Sequence, residues 1–395
     1  MVNGQPRLHA LSSGFTMIEL MLALVMSSLV AAAVYGLVQT QSTQYRQIKE
    51  TQTARQRAQL GNQLLEQDLR RVGFMTTLNS EVDGNICPKP TTPVQGIVLE
   101  NPGDSAAAPY NFVVPGNSNA NPDALMLFVT YGKGALHRVR SVGGTQVTFE
   151  SASDPDVSAA DPFVPRTQAE FDSMYRPWHL ACIVNSALKA QCLEITSSAF
   201  GSPNSITLAA PPASQSQNRV CGILGDGSTG HLLAPAGWVR YTIKQNPADP
   251  VRTDLVREEV TIDAVGTATP IANTEVIVAA YGVDFQVRAH GVDTSPYQIG
   301  VTQLNMTTPP QGTDFSTGNL TNNLPVGATN ASEQVRIVDY MISVRAPAEE
   351  AGLAHAMGSP SEPITTYDLD SDATNSAPVS NSYGSVSLGC FANSY

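Results

Sequence analysis

Hydrophobic and polar positions divide the chain into three textures. From Phe15 to Val38 the apolar residues run almost unbroken, 19 of 24 positions. From Gln39 to Val72 the chain is polar, yet it holds no Pro and is rich in Gln, Arg, Leu and Ala, which favour helix. Leu60, Leu64, Leu65, Leu69 and Val72 recur at steps of three and four, and Gln41, Tyr45 and Ile48 hold that spacing earlier. The pattern predicts one continuous helix from about Phe15 to about Val72. Its first half is apolar on all sides, and its second half packs one stripe against a globular head. Gly61 is the weak position, costing ~1 kcal/mol relative to Ala. Gly73 is placed to cap the C-terminus, with Arg70 and Arg71 favourable at the negative end of the helix dipole.

Past Phe74 short β-rich runs alternate with Gly, Pro, Asn, Ser and Asp. Strands are expected at 96–99, 111–114, 124–131, 136–140, 146–149, 181–184, 191–195, 205–208, 237–243, 254–257, 260–264, 275–280, 283–289 and 335–344. The expected fold class is therefore α+β, one long N-terminal helix on a large antiparallel β-sheet head. Ser151–Arg166 is acidic and Pro-rich and reads as a loop, with a subdomain boundary near 151–178. Residues 291–334 form a Thr/Asn/Pro-rich insertion. Pro347–Tyr395 has six acids and no Lys or Arg, and reads as a solvated surface segment.

As a helix, Phe15–Val38 is about 36 Å long, enough to cross a ~30 Å hydrocarbon core. Arg7 on its N-terminal side predicts a cytoplasmic leader and an exported bulk. Glu19 lies inside the run, where a carboxylate costs ~2.5–3.5 kcal/mol and usually has a partner or a task. A tolerated acid near the interface, a secretory signal cut after Ala31-Ala32-Ala33, and an uncleaved single-span anchor are the plain alternatives.

The segment Gly14-Phe15-Thr16-Met17-Ile18-Glu19-Leu20 resembles the type IV prepilin signal. The resemblance implies a leader over 1–14, cleavage between Gly14 and Phe15 by a prepilin peptidase, and N-methylation of Phe15. It also implies pairing of the Glu19 carboxylate with the Phe15 amino group of a neighbouring subunit, a contact that sets subunit register. Gln67-Asp68-Leu69-Arg70-Arg71-Val72-Gly73-Phe74 resembles the end of this helix in PilW-type minor pilins. So do Asp123–Phe128, Trp238–Ile243, Asp254–Glu258, Tyr281–Val287 and Val335–Arg345, in the family's order. The PilW resemblance implies a non-enzymatic minor pilin with a membrane-spanning or filament-core helix (15–38), a stalk helix (39–74) and a head (75–395). It implies an inner-membrane location with the head in the periplasm, then the pilus fibre. The implied partners are the prepilin peptidase, the assembly platform, other minor and major pilins and a tip adhesin, and the implied roles are assembly initiation, adhesion or twitching motility. A minor pseudopilin of a type II secretion system, or a membrane-anchored binding module or enzyme, are the other readings.

Charge sharpens this division. The formal net charge is −12, with charged residues only 14%. From Gly73 onward the chain holds 15 basic and 30 acidic residues, so the head carries about −15. That excludes the basic face a nucleic-acid binder needs. Cys87, Cys182, Cys192, Cys221 and Cys390 all follow the helix, on the exported side, where disulfides form. Cys182 and Cys192 flank the connection between two expected strands and are the favoured pair. No cofactor is expected. Gly225–Gly230 spells GxGxxG but no helix follows, so it reads as a turn. Asp368, Asp370 and Asp372 alternate as calcium ligands do, but Ala373 and Val379 stand where the helix–loop–helix calcium pattern requires Gly and Glu; an exposed acidic loop is the default reading and a calcium site the alternative.

Overall fold

In a computed structural model the chain forms two compact units, Met1–Gln52 and Thr53–Tyr395. The structure describes residues 16–73, 94–100, 122–132, 136–158, 161, 164–184, 190–209, 231–262, 268–291, 335–347, 366–367 and 376–388. Helix α1 (Met17–Leu69) contributes to both units. At 1.5 Å per residue its 53 residues span about 80 Å.

In the first unit the apolar side chains of α1 face outward on every side, from Met17 and Leu22 to Val30 and Leu37. The hydroxyls on this stretch are turned back on the helix. Ser27 donates to Leu24 O at 3.0 Å, Ser28 to Val25 O at 2.7 Å, and Thr40 to Gly36 O at 2.9 Å. Polar groups satisfied in this way can enter an apolar medium. Among the described residues this is the one helix long and apolar enough to cross a membrane.

In the second unit the buried face of α1 is Ala54, Ala58, Gly61, Leu65, Asp68 and Leu69, with Val72 just beyond. These positions alternate steps of four and three, a narrow seam along one side of the helix. The expected stripe is thus corrected: Leu65, Leu69 and Val72 are buried, whereas Leu60, Tyr45 and Ile48 are exposed. Small residues occupy the upper seam because the helix lies close to the sheet. A Cβ on Gly61 would sit 3.3 Å from Ile342 Cδ1 and from Val278 Cγ1. Gly73, four residues past the end of the helix, adopts φ 70°, the left-handed backbone that glycine favours. The helix tightens at its end, with Arg71 N and Val72 N donating to Asp68 O and Leu69 O.

The head strands are β1 (Ile97–Glu100), β2 (Ala124–Thr130), β3 (His137–Gly143), β4 (Gln146–Phe149), β5 (Leu180–Val184), β6 (Ala190–Ala199), β7 (Asn204–Leu208), β8 (Leu232–Asn246) and β9 (Asp249–Ile262). They continue with β10 (Ala268–Pro270), β11 (Val276–Ala280), β12 (Gly282–Gly291), β13 (Val335–Arg345), β14 (Thr366–Tyr367) and β15 (Ala377–Ser387). Every named pairing is antiparallel. The 15-residue strand β8 serves two bodies. Its second half pairs with β2 and β9, and with β12, β13 and β15 these strands build the core that receives α1. Its first half pairs with β3 on one side and β5 on the other. The order β8-β3-β4-β7-β6-β5 then returns to β8, a closed ring of six strands without a free edge. Phe171, Met174 and Tyr175, on and just after the short helix α2 (Gln168–Met174), pack with Phe149, Ile183, Ile195 and Leu208 in the apolar cluster of this ring.

Two sequence readings change here, and one element was not expected: after the Ser151–Arg166 loop comes α2, started by a capping box in which Thr167 and Glu170 bond each other's backbone N–H groups. The separate strands expected at 254–257 and 260–264 are one strand, β9, because Glu258 and Glu259 are buried in it rather than ending it. Within the C-terminal segment read as solvated, Ala377–Ser387 forms β15, paired with β13 from Val379 to Ser387. Residues 111–114, and the 291–334 insertion beyond Gly291, lie outside the described residues.

Candidate functional site

Two places gather the chemistry the sequence points to. The first is the start of α1. Gly14 and Phe15 lie outside the described residues, but Thr16 and Glu19 are present. The Glu19 carboxylate accepts from Thr16 N and Thr16 Oγ1, each at 3.0 Å, and Glu19 N donates to Thr16 Oγ1 at 3.3 Å. This is a capping box. Thr-x-x-Glu is legible in the sequence, so this role of Glu19 could have been read there. The arrangement holds an exposed carboxylate at the positive end of the helix dipole, beside the residue that follows Phe15.

The second place is the other end of α1, where it enters the head. Asp68, on the last turn, is buried, with its side chain 2% exposed. The Tyr241 hydroxyl of β8 donates to Asp68 Oδ2 at 2.7 Å, and Arg257 Nε of β9 donates to the same oxygen at 2.6 Å. Arg71 Nη1 lies 3.7 Å from Asp68 Oδ1. Burial, and then the neighbouring Asp68 charge, push the Tyr241 hydroxyl pKa far up. Burial opposes the Arg257 charge, but Asp68 and Tyr241 outweigh it and raise its pKa. The cluster therefore holds Arg257 charged and Tyr241 neutral, and ties the helix to two adjacent strands. Higher on the same seam, Asn62 Nδ2 donates to Ser382 Oγ at 2.6 Å, and Tyr340 Oη donates to Asn62 O at 3.3 Å. Arg57 stacks 5.0 Å from the centre of the Tyr281 ring, which Arg252 and Arg345 also approach. The sequence reading placed Asp68 in a family-like segment but gave it no burial. The signal for it was an acid in the seam register four residues before Val72.

The remaining candidates are dispersed. Cys182 and Cys192 are directly opposite on β5 and β6 and form a disulfide. Cys182 is therefore no free thiol for the nearby His179. Cys87, Cys221 and Cys390 lie outside the described residues, as do Asp368, Asp370, Asp372 and the Gly225–Gly230 turn. Among the described residues no group of three His, Cys, Asp or Glu side chains is placed to hold a metal. Both ring nitrogens of buried His179 face oxygens, Nδ1 the Met174 carbonyl at 2.6 Å and Nε2 Glu259 Oε2 at 3.2 Å. Burial works against the Glu259 charge, but His179, the Trp178 N–H at 2.7 Å and Arg176 hold its pKa below the ordinary range. His137, inside the strand ring, is kept neutral by burial, which pulls its pKa down to about 4.

Residues 10–35 match the family model of the prokaryotic N-terminal methylation motif. This motif supports a type IV pilin-like or pseudopilin-like protein. The motif implies processing by a prepilin peptidase and assembly with other pilins. Its apolar helix is consistent with membrane anchoring. No curated protein and no solved structure matches the chain.

Proposed function

We propose that the chain is a minor pilin of a type IV pilus, resembling the PilW family. In this reading it is cut between Gly14 and Phe15, methylated on Phe15 and held in the inner membrane by α1 with its head in the periplasm. It then joins other minor pilins in the complex that starts the filament or forms its tip, and so serves adhesion or twitching. It is a structural subunit, without catalysis or cofactor. The observation that carries the reading is the methylation motif running directly into a helix whose apolar side chains are uncovered on every side. Such a surface is driven out of water, into lipid before assembly and against other helices after it. The size of the head supports a rare or tip position over a repeated shaft position. Two measurements test this. Mass spectrometry of the mature N-terminus is expected to find N-methylated Phe15; a chain starting at Val34 refutes the processing. Deletion of the gene is expected to reduce surface pili and twitching; a loss of protein secretion with pili intact points instead to a type II secretion pseudopilin.

A further inference from the structure

Arg70, Arg176, Arg240 and Arg257 each face an acid, in Glu66, Glu259, Glu258 and Asp68. Arg57 differs. It lies on α1 in the second unit, and the positions three and four residues away on the helix are Thr53, Ala54, Leu60 and Gly61, none of them acidic. Its Nη1 is buried and has no hydrogen-bond partner, and among the described residues it forms no ion pair. Its guanidinium lies over the Tyr281 ring, 5.0 Å from the centre, where Arg252 and Arg345 also stand at 4.9 and 5.1 Å. A ring has two faces, so at least two of these three cations share one, where their charges repel. Arg345 is buried, with Nη1 donating to Ala346 O and Pro347 O. Arg252 donates Nε to Asp254 Oδ1 at 2.8 Å, and Asp249 acts on its charge from farther away. Asp254 is already engaged on both oxygens: Oδ1 also accepts Tyr281 N at 2.9 Å, and Oδ2 accepts Asn246 Nδ2 at 3.1 Å. The platform itself is fixed. Tyr281 is held at φ 63°, with its N–H on Asp254 and its carbonyl accepting Arg345 N at 3.0 Å.

A buried guanidinium nitrogen without an acceptor is costly, and a cluster of like charges calls for an ion of opposite sign. We infer that Arg57 and Arg252, held on Tyr281, bind a carboxylate carried by an acidic side chain of a neighbouring subunit. The chemical class follows from the donors. A guanidinium presents a planar fork of N–H groups that matches a planar oxyanion, and the carboxylate is the oxyanion that protein side chains carry. The source follows from the element. The motif at the start of α1 implies assembly with other pilins, and the groups that reach this helix from another pilin are protein side chains. Charge agrees. The head carries about −15 and repels acidic partners over most of its surface, which leaves this cluster as a local spot of opposite sign that fixes where an acid can approach.

This inference rests on the filament reading above, and one experiment separates the two. Arg57→Lys keeps a cation at this position and supplies an amine. A water-soluble carbodiimide condenses an amine with a carboxylate in contact with it, and is applied to the full chain in detergent and to filaments sheared from cells. In the filaments, peptide mass spectrometry is expected to find position 57 joined to an Asp or Glu of another chain. A link to an acid of the same chain, formed equally in detergent, overturns the site, and so does the absence of any link from position 57 in filaments that hold the chain. Both outcomes leave the filament reading standing. Arg57→Gln removes the charge, and at an equal level in the membrane its amount in filaments is expected to fall at least about fivefold, the effect of losing one charge-assisted contact. Retention at the parent's level overturns the site. Absence of the parent chain from filaments overturns both readings.

Discussion

Tyr241 donates its hydroxyl hydrogen to Asp68 Oδ2 at 2.7 Å, from the middle of β8 to the last turn of α1. Both groups are buried, and Arg257 shares the same carboxylate oxygen. Replacing Asp68 with Ala leaves Arg257 buried without its counter-charge, a change that costs about 3–5 kcal/mol when one partner of a buried pair is removed. Tyr241→Phe removes one neutral donor and is expected to cost about 1 kcal/mol. Denaturant unfolding of the full chain in detergent, followed by the fluorescence of Trp178 and Trp238, measures both. Equal effects would show that Asp68 acts as a simple acceptor and not as the counter-charge of Arg257.

The close approach at Gly61 gives a packing prediction. Gly61→Leu must push on Ile342 and Val278, and overpacking of this kind costs about 1–3 kcal/mol. Leu60→Ala, one residue away on the exposed side, is expected to stay within about 0.5 kcal/mol of the parent. The same unfolding curves compare them, and a larger loss in Leu60→Ala would reverse the assignment of the seam.

Asp284 gives a pH dependence. Burial raises its carboxyl to about 6 in the folded chain, against 3.8 as the ordinary value, despite a hydrogen bond from Gln286 at 2.8 Å. The folded state therefore holds a proton that the unfolded state releases between these values. Stability is highest below pH 4 as far as this group is concerned, falls as pH rises to about 6, and is flat beyond, by up to about 3 kcal/mol. Asp284→Asn removes this component. At pH 7 the variant is expected to be more stable than the parent, with the difference shrinking toward pH 4; a difference that is constant across this range refutes it.

The disulfide between Cys182 and Cys192 closes a short hairpin. Replacing both with Ala is expected to cost about 2–3 kcal/mol through the entropy of the unfolded chain. Non-reducing peptide mapping should recover the 182–192 link, and a different pairing would contradict the placement of β5 against β6.

Glu19 has two separable roles. Glu19→Gln keeps an acceptor for Thr16 but removes the charge; Glu19→Ala removes both. If charge pairing with a neighbour's amino group matters, both variants are cleaved normally and neither assembles well. Normal piliation with Glu19→Gln but not Glu19→Ala would assign Glu19 to capping alone.

The primary sequence by itself determined the long helix, most strand positions and the N-terminal motif, because each is written in local periodicity or in adjacent residues. Cys182 and Cys192 were legible too, since a hairpin brings near neighbours together. The tertiary structure decided what depends on residues far apart. Gly61 looked like a flaw in a helix and is instead the point where the helix meets Ile342 and Val278. Glu258 and Glu259 looked like a strand end, yet they are buried in mid-strand because Arg240 and Lys244 meet one and Trp178, His179 and Arg176 meet the other. Asp68 could be buried only because Tyr241 and Arg257, more than 170 residues later, supply its hydrogen bonds. β15 lacked an apolar pattern because most of its side chains are only partly buried. Its pairing is set by β13, whose Tyr340 ring occupies the space that a side chain on Gly384 would need. In each case the residue's own chemistry was visible along the chain, and the partner that gave it a role was brought to it by the fold.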